Sequence, residues 1–429
     1  MNVQREKRST VKVGYIGLGR RGMNMLQRTF LEMKDVEITW ICDLKESKIE
    51  KAMSCFREKQ LSLPRETRDY REVLADGAVD AVVIMTGWNG RVPIVLDSMR
   101  AGKYTAVEVG TAYDLSECYD LVKVYEETQS PLMMLENCCY GRREMMALRM
   151  VREGLFGEVV HCEGGYMHYL NKLELFCSKD GVDDVEHYRA YEYLNRNCEQ
   201  YPTHELGPIA KVLDINRGNR MVTLTSTASK SRGLESYIRE NVAPTHPLYG
   251  KTFAQGDVIT TVIRCERGET IVLTLDTTLP RPYYSRAFTV RGTKGCCIEA
   301  YGDAATFYLE GMEEPVFNNE AEFYEKYDHP LYAEYSKMEA LGGHGGVDWL
   351  VVRAFIESVK AGTDTPIDAY DTAAWMAIGP LSAMSIAKGS APVDVPDFTR
   401  GKWFRREEPL MSKYSLDAIV SDPDTPIAP

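Results

Sequence analysis

The stretch Val13-Gly14-Tyr15-Ile16-Gly17-Leu18-Gly19-Arg20-Arg21-Gly22 decides how this chain folds. It sets G-x-G-x-x-G between an apolar run, Val11–Ile16, and a helical pattern, Met23–Met33. A strand that turns through glycines into a helix aims the free N–H groups of the helix start at a negative charge. Gly17 permits the tight turn, Gly19 lets backbone approach a pyrophosphate, and Gly22 lets the helix lie against the sheet. The second apolar run, Glu37–Cys42, ends at Asp43. A carboxylate there accepts hydrogen bonds from a ribose diol and repels a 2′-phosphate, which favours NAD over NADP. Arg20 and Arg21 pull the other way, because cations offset phosphate charge. The reading is a dinucleotide-binding Rossmann domain with NAD as its cofactor.

Outward from the loop, Ala81–Met85, Tyr104–Glu108 and Pro131–Leu135 read as further strands, alternating with helical stretches such as Val92–Ala101 and Ser116–Glu127. That spacing means βαβ units on a parallel sheet. From about residue 138 the texture changes. One amphipathic helix, Arg142–Glu153, precedes Val159–Tyr169, a polar aromatic loop, and then Val222–Ser229, Asp257–Cys265, Thr270–Asp276, Arg286–Arg291 and Cys296–Tyr301. Strands in succession after a helix predict an α+β domain with a mostly antiparallel open sheet. Trp349–Ala361 and Ala369–Lys388 read as long helices packing back on the first domain. The expected division is 1–137 (Rossmann, α/β), 138–403 (α+β, substrate-binding) and 404–429, an extended tail.

Composition narrows the function classes. Lys plus Arg number 51 against 63 acidic residues, a net charge of −12. Such a field repels phosphate backbones and anionic lipid, so no nucleic-acid partner is expected. No apolar run reaches the roughly 18 residues that a spanning helix needs, so no membrane partner is expected either. The basic start Met1–Arg8 leads directly into a strand and not into a signal-peptide apolar core. The 11 cysteines show no C-x-x-C and no ligand spacing, so no metal is expected and a reducing, cytoplasmic setting fits. Cys138-Cys139 and Cys296-Cys297 read as small strand residues.

Several motifs together carry a resemblance. They are Glu136-Asn137-Cys138-Cys139-Tyr140-Gly141-Arg142, Gly154-Leu155-Phe156-Gly157-Glu158, Glu163-Gly164-Gly165-Tyr166, Tyr201-Pro202-Thr203-His204, Asn216-Arg217-Gly218, Gly292-Thr293-Lys294-Gly295, His344-Gly345-Gly346 and Asp394-Val395-Pro396-Asp397-Phe398-Thr399. Over about residues 10 to 403 the chain resembles glycoside hydrolase family 109, within the glucose–fructose oxidoreductase-like (Gfo/Idh/MocA) proteins. The resemblance implies an NAD-dependent α-N-acetylgalactosaminidase whose cofactor stays bound and is regenerated each cycle. It implies that Arg21, Gly22, Asp43, Trp88, Asn89, Arg91, Glu108, Val109 and Asn137 line the NAD site. It also places Tyr166, Arg189, Tyr201, His204 and one of Tyr283 and Tyr284 around the sugar. Three positions depart from the family pattern. Gly110 stands where proline is usual, Arg91 where a Trp-x-x-His pattern ends, and Glu205 where glycine follows the Tyr-Pro-Thr-His motif. Val109 stands where the wider oxidoreductases carry a lysine.

Such chemistry cuts a glycosidic bond without paired carboxylates. Oxidation at C3 makes the C2 proton acidic, elimination expels the C1 substituent, and water addition and hydride return complete a cycle without net redox. It needs bases near C3 and C2. Tyr201 and His204, three apart before the helix Pro208–Leu213, reach one pocket, and Tyr166 lies on a strand with Val160, Cys162, Gly164 and His168 on its face. His204 is assigned to the C3 hydroxyl and either Tyr166 or Tyr201 to the C2 proton, with Arg189 as the cation that would lower a tyrosine pKa. The alternative is a sugar or cyclitol dehydrogenase of the same fold. Two further possibilities are a hydrolase with a carboxylate pair drawn from Glu163, Glu205 or Asp276, and a non-catalytic ligand sensor. A homo-oligomer, dimer or higher, is expected because an open antiparallel sheet leaves one face uncovered.

Overall fold

The computed structural model describes residues 7–171, 188–299, 304–338, 342–406, 412–417 and 419. Strands β1 (Val11–Ile16), β2 (Val36–Cys42), β3 (Arg65–Thr67), β4 (Ala81–Ile84), β5 (Tyr104–Val107) and β6 (Leu132–Met134) form one sheet in the order β3-β2-β1-β4-β5-β6. Every pairing in it is parallel. Each residue of β4 and β5 is buried, which is why their sequence is an unbroken apolar run. Strand order reverses between β1 and β4, so the loops after their carboxyl ends meet over one crevice.

Strands β7 (Val159–Met167), β8 (Met221–Ala228), β9 (Val258–Cys265), β10 (Thr270–Asp276), β11 (Thr289–Gly292), β12 (Gly295–Glu299), β13 (Ala305–Leu309) and β14 (Val393–Asp394) form a second sheet, in the order β13-β12-β11-β7-β10-β9-β8-β14. Only β7 with β10 pairs in parallel. The architecture is thus the expected Rossmann α/β unit followed by an α+β unit on a mostly antiparallel sheet. Helix Thr203–Val212 lies on β7, where a Cβ on Gly164 would meet the Glu205 carbonyl oxygen at 2.6 Å. Cys162, Gly164 and Tyr166 face that helix as their period requires. Val160 does not: the register slips opposite it, between Arg291 and Gly292, and it is exposed.

Three readings are corrected. The single helix expected over Ala369–Lys388 is two, Ala369–Met376 and Ile378–Ala387. Pro380 lacks the N–H that the Met376 carbonyl would take, and that carbonyl accepts instead from Ala112 N and Thr111 Oγ1, each at 3.2 Å. Cys138-Cys139 form a 3-10 turn, Asn137–Tyr140, because the Glu136 carboxylate caps it by accepting from Cys138 N at 3.0 Å. The described end of the tail is anchored: Leu416 is buried, and Asp417 pairs with Arg217 at 2.5 Å and Lys211 at 3.5 Å. Cys296 and Cys297 lie in β12 as expected, and Cys177 falls outside the described residues, as does most of the polar loop after Tyr169. The C-terminal helices bind the first sheet through Arg353–Asp35, Tyr104 Oη to the Thr363 carbonyl, and Thr365 Oγ1 to the Leu132 carbonyl.

Candidate active site and nucleotide loop

The glycine loop has the shape its sequence requires. Gly17 has φ +99°, and a Cβ there would meet the Met85 carbonyl carbon at 2.7 Å. A Cβ on Gly22 would run into the Gly17 carbonyl, whereas one on Gly19 would meet nothing within 4 Å. The space over Gly19, at the start of the nine-residue helix Arg20–Arg28, is the cradle that a pyrophosphate needs. Asp43 ends β2 and secures the loop, accepting from Leu18 N at 2.8 Å and Lys45 N at 3.0 Å. These features fit a dinucleotide.

Around the crevice, the expected residues separate by role. Trp88 is buried, while Asn89 and Arg20 are exposed. Arg21 pairs with Asp348 at 2.8 Å and Glu108 at 3.5 Å, and Asn137 Nδ2 donates to Asp348 at 2.7 Å. His344 Nδ1 also meets Asp348, at 2.8 Å. Burial pushes the Asp348 carboxyl up, but Arg21 and His344 outweigh it and hold the group well below the usual carboxylate range. The sequence reading missed Asp348, which stands four residues after His344 at the start of helix Val347–Ala361. Val109 is buried and offers no acid or base where the wider family has lysine.

Arg91 corrects an expectation. Its side chain is buried, and it donates to the carbonyls of Thr86, Glu108 and Val109. It therefore ties the loop after β4 to the loop after β5 from beneath, with its donors turned to backbone. Gly110 belongs to the same arrangement. It has φ +148°, outside proline's range, and a Cβ would overlap the Trp88 indole. Two of the sequence departures are thus one rearranged wall.

On the second sheet, β7 and the turn into helix Thr203–Val212 bring the expected side chains together. Tyr166 lies 4.4 Å from Tyr201, 5.6 Å from His204 and 6.1 Å from Tyr284, ring centroid to centroid. Tyr284 also packs on His168 at 5.0 Å, and among the described residues it, not Tyr283, joins this cluster. The Arg189 guanidinium sits 4.4 Å over Tyr201 and 5.4 Å over Trp88, and Trp88 packs on Tyr201 at 5.9 Å. The aromatic cluster is therefore contiguous with the loop after β4 at the nucleotide crevice.

His204 Nδ1 meets Glu136 Oε1 at 2.6 Å. Glu136 is wholly buried; burial raises its pKa, but His204 and the Cys138 N–H outweigh burial and bring it below the usual value. The carboxylate form fixes Nδ1–H as the donor, which leaves Nε2 for the pocket. Glu136 follows the carboxyl end of β6, where the strand-end rule brings it to the crevice, but its partnership with His204 has no signal in the sequence. Glu136, Cys138 and His204 have donor atoms within 4.8 Å of one another. Within that group Cys138 N and His204 Nδ1 both bond to Glu136 Oε1.

The cation expected to lower a tyrosine does not prevail at Tyr201. Burial drives that hydroxyl well above 10, and Arg189 offsets only part of the rise. Of the carboxylates considered for a pair, Glu163 is half-exposed beside His161, Asp276 is bound to Arg281, and Glu205 is buried against β7.

A Rossmann domain with an open glycine cradle, joined through Trp88 to a tyrosine and histidine pocket on a mixed sheet, defines an NAD-binding protein of oxidoreductase build. Residues 11–136 match the oxidoreductase family with NAD-binding Rossmann fold, and residues 140–405 match the glycosyl hydrolase 109 C-terminal domain. The chain belongs to glycosyl hydrolase family 109 and is a glycoside hydrolase with NAD as cofactor. It is 38% identical over 419 residues to an alpha-N-acetylgalactosaminidase of Tannerella forsythia, covering 92% of this chain and 88% of that one. A family 109 protein of Parabacteroides distasonis is 38% identical over 417 residues, with the same coverage. Among solved structures, a levoglucosan dehydrogenase in complex with NADH and L-sorbose matches with TM-score 0.68 at 17% identity, covering 91% of this chain and all of that one. A scyllo-inositol dehydrogenase from Lactobacillus casei matches with TM-score 0.62 at 14% identity, over 91% of this chain and 99% of that one. These likenesses show the fold.

Proposed function

We propose that this chain hydrolyses terminal α-N-acetylgalactosaminides or closely related glycosides by transient oxidation at C3, elimination and hydride return. The observation that carries the reading is the His204–Glu136 dyad, 2.6 Å long, set among Tyr166, Tyr201 and Arg189 and joined to the crevice through Trp88. When bound, NAD supplies the hydride acceptor and, at the end of the cycle, the donor. The residues supply the rest. His204 Nε2 takes the hydroxyl proton at C3, and Glu136 stabilises the imidazolium that results. Tyr166, acting as phenolate, takes the C2 proton and is left as the phenol; Tyr201, kept neutral by burial, orients the sugar by hydrogen bonding. Arg189 favours negative charge on the rings beneath it. The buried Trp88, Tyr166 and Tyr201 exclude water from the proton transfers.

Assignment of Arg21, Asp43, Asn89, Glu108, Val109 and Asn137 to the cofactor rests on the open loop and on their place at the strand ends. The same reading divides the chain at 137/138, within the 3-10 turn that follows β6. We further infer a reducing, cytoplasmic setting, supported by ten free cysteines among the described residues, of which nine are buried. Among the described residues no helix is long and apolar enough to cross a membrane. A homo-oligomer, dimer or higher, is inferred from the open face of the second sheet.

The test is hydrolysis of para-nitrophenyl α-N-acetylgalactosaminide in D₂O, with mass read on the released sugar. Elimination requires one deuterium at C2 and no accumulating NADH. Release without deuterium, or full activity in nucleotide-stripped protein, overturns the mechanism. Accumulating NADH with free sugars would establish the dehydrogenase instead.

A further inference from the structure

Two buried carboxyl groups beside this pocket take no part in the mechanism above. Glu199 is fully buried and Glu205 is 1% exposed. They bracket the turn that carries Tyr201 and His204, and their side chains lie within hydrogen-bonding reach of each other. Glu199 Oε1 accepts from Tyr201 N at 3.2 Å. No N–H or O–H of the described residues bonds to either Glu205 oxygen in good geometry, or to Glu199 Oε2. A dry pair of carboxyls with so few donors stays together only by keeping protons of its own.

We propose that Glu199 and Glu205 form a proton-held clasp that closes the 199–205 turn onto β7, making both positioning residues for Tyr201 and His204, and that ionisation of the clasp sets the alkaline limit of activity. The geometry ties each end to the site. The Glu199 backbone N–H donates to Ser382 Oγ at 2.7 Å, anchoring that end to helix Ile378–Ala387. Glu205 lies against β7 at Gly164 and faces the backbone of Tyr166 and of Thr274 on β10. The titratable groups facing the pair are Tyr193 on helix Tyr188–Asn195, Cys198 and Tyr201, all buried. Among the described residues no cation is a principal influence on Glu199 or Glu205; Arg196 acts on the adjacent Cys198. Burial pushes Glu199 up to about 8, and burial with the neighbouring Glu199 charge raises Glu205 well above the usual carboxylate range. Burial and the scarcity of donors therefore both favour the protonated clasp. Raising the pH releases a proton to solvent and leaves charge where nothing solvates it, which favours opening of the turn.

The inference rests on the reading of Tyr201 and His204 given above, so its test includes measurements that need no turnover. Infrared spectra of the full chain should show protonated-carboxyl C=O absorption at neutral pH that disappears as pH rises and is reduced in both Glu199→Gln and Glu205→Gln. Hydrogen exchange of the 199–206 segment, corrected for the intrinsic pH dependence, should lose protection over the same range in the parent and not in Glu205→Gln. An amide keeps the hydrogen bond without titrating. The alkaline fall in kcat should then move up by at least about one pH unit in Glu205→Gln, raising its kcat at pH 9 relative to pH 7 about tenfold over the parent. A parent without that infrared band, or exchange and kcat profiles that superimpose in parent and Glu205→Gln, overturns the clasp. An inactive parent would refute the glycosidase reading, and the band and the exchange would still decide the clasp.

Discussion

At the scale of single residues, the dyad makes the sharpest demand. Glu136→Gln keeps size and a hydrogen bond but removes the charge that stabilises imidazolium at His204. We expect kcat on the α-N-acetylgalactosaminide to fall roughly 10²–10⁴-fold, the range for a positioned acid–base group, with bound nucleotide unchanged by extraction and absorbance. His204→Ala should fall at least as far. Normal turnover in either would remove the dyad from the mechanism. Gly110→Ala tests the wall of the crevice. It combines a φ of +148° with overlap on Trp88, so we expect a loss on the order of 1–3 kcal/mol in chemical denaturation and weaker NAD binding. The departures from the family pattern at Arg91 and Gly110 were visible in the sequence, but their meaning was not. Seeing that Arg91 turns its donors to backbone carbonyls requires knowing where those carbonyls lie.

Elements were legible where burial was two-sided. The central strands β1, β2, β4 and β5 read directly because both faces are covered, and β7 to β12 read because the apolar period of two survives over several residues. The strands that escaped, β3, β13 and β14, are all at sheet edges. β3 is Arg65-Glu66-Thr67 and β14 has two residues, too short and too polar to show a period. The aromatic cluster was legible as a set of residues, because turn and strand spacing bring Tyr201 and His204 to one side. The Tyr201 pKa was not, since burial, which overrode Arg189, has no sequence signature. The break at Pro380 offers a test at this scale. Thr111 Oγ1 donates to the Met376 carbonyl that proline leaves without its helical partner. Thr111→Val should cost about 1 kcal/mol in unfolding free energy, and unchanged stability would mean that Ala112 N alone suffices.

The two sheets act as one molecule because charge and packing cross between them. Asp35, just before β2, pairs with Arg353 at 2.6 Å and Lys360 at 2.7 Å on helix Val347–Ala361, where Arg353 is fully buried. Burial raises the Asp35 pKa, but the two cations prevail and lower it from 3.8 to about 2. A lowered carboxylate pKa stabilises the fold above the unfolded value and loses that contribution as pH falls through the folded one. Asp35→Asn should therefore be less stable than the parent at neutral pH, with the gap in thermal midpoint closing between about pH 4 and pH 2; a pH-independent gap would assign the effect to packing. The far face of the second sheet makes the last demand. Thr225, Val262, Val272, Glu163, Thr289 and Ile298 lie in register across β8, β9, β10, β7, β11 and β12. Val262 is 40% and Ile298 38% exposed there, mid-sheet. This row, with Val262, Val272 and Ile298 apolar and Glu163 between them, is expected to meet a two-fold partner presenting the same row, and a stable pair requires burial on the order of 1,000 Å² or more. Light scattering on eluting protein should give about twice 48.5 kDa. The double variant Val262→Asp/Ile298→Asp should elute as the monomer and keep its bound NAD, because neither residue lies near the glycine loop. A parent that is monomeric at micromolar concentration, or a double variant that still pairs, would place the interface elsewhere or remove it.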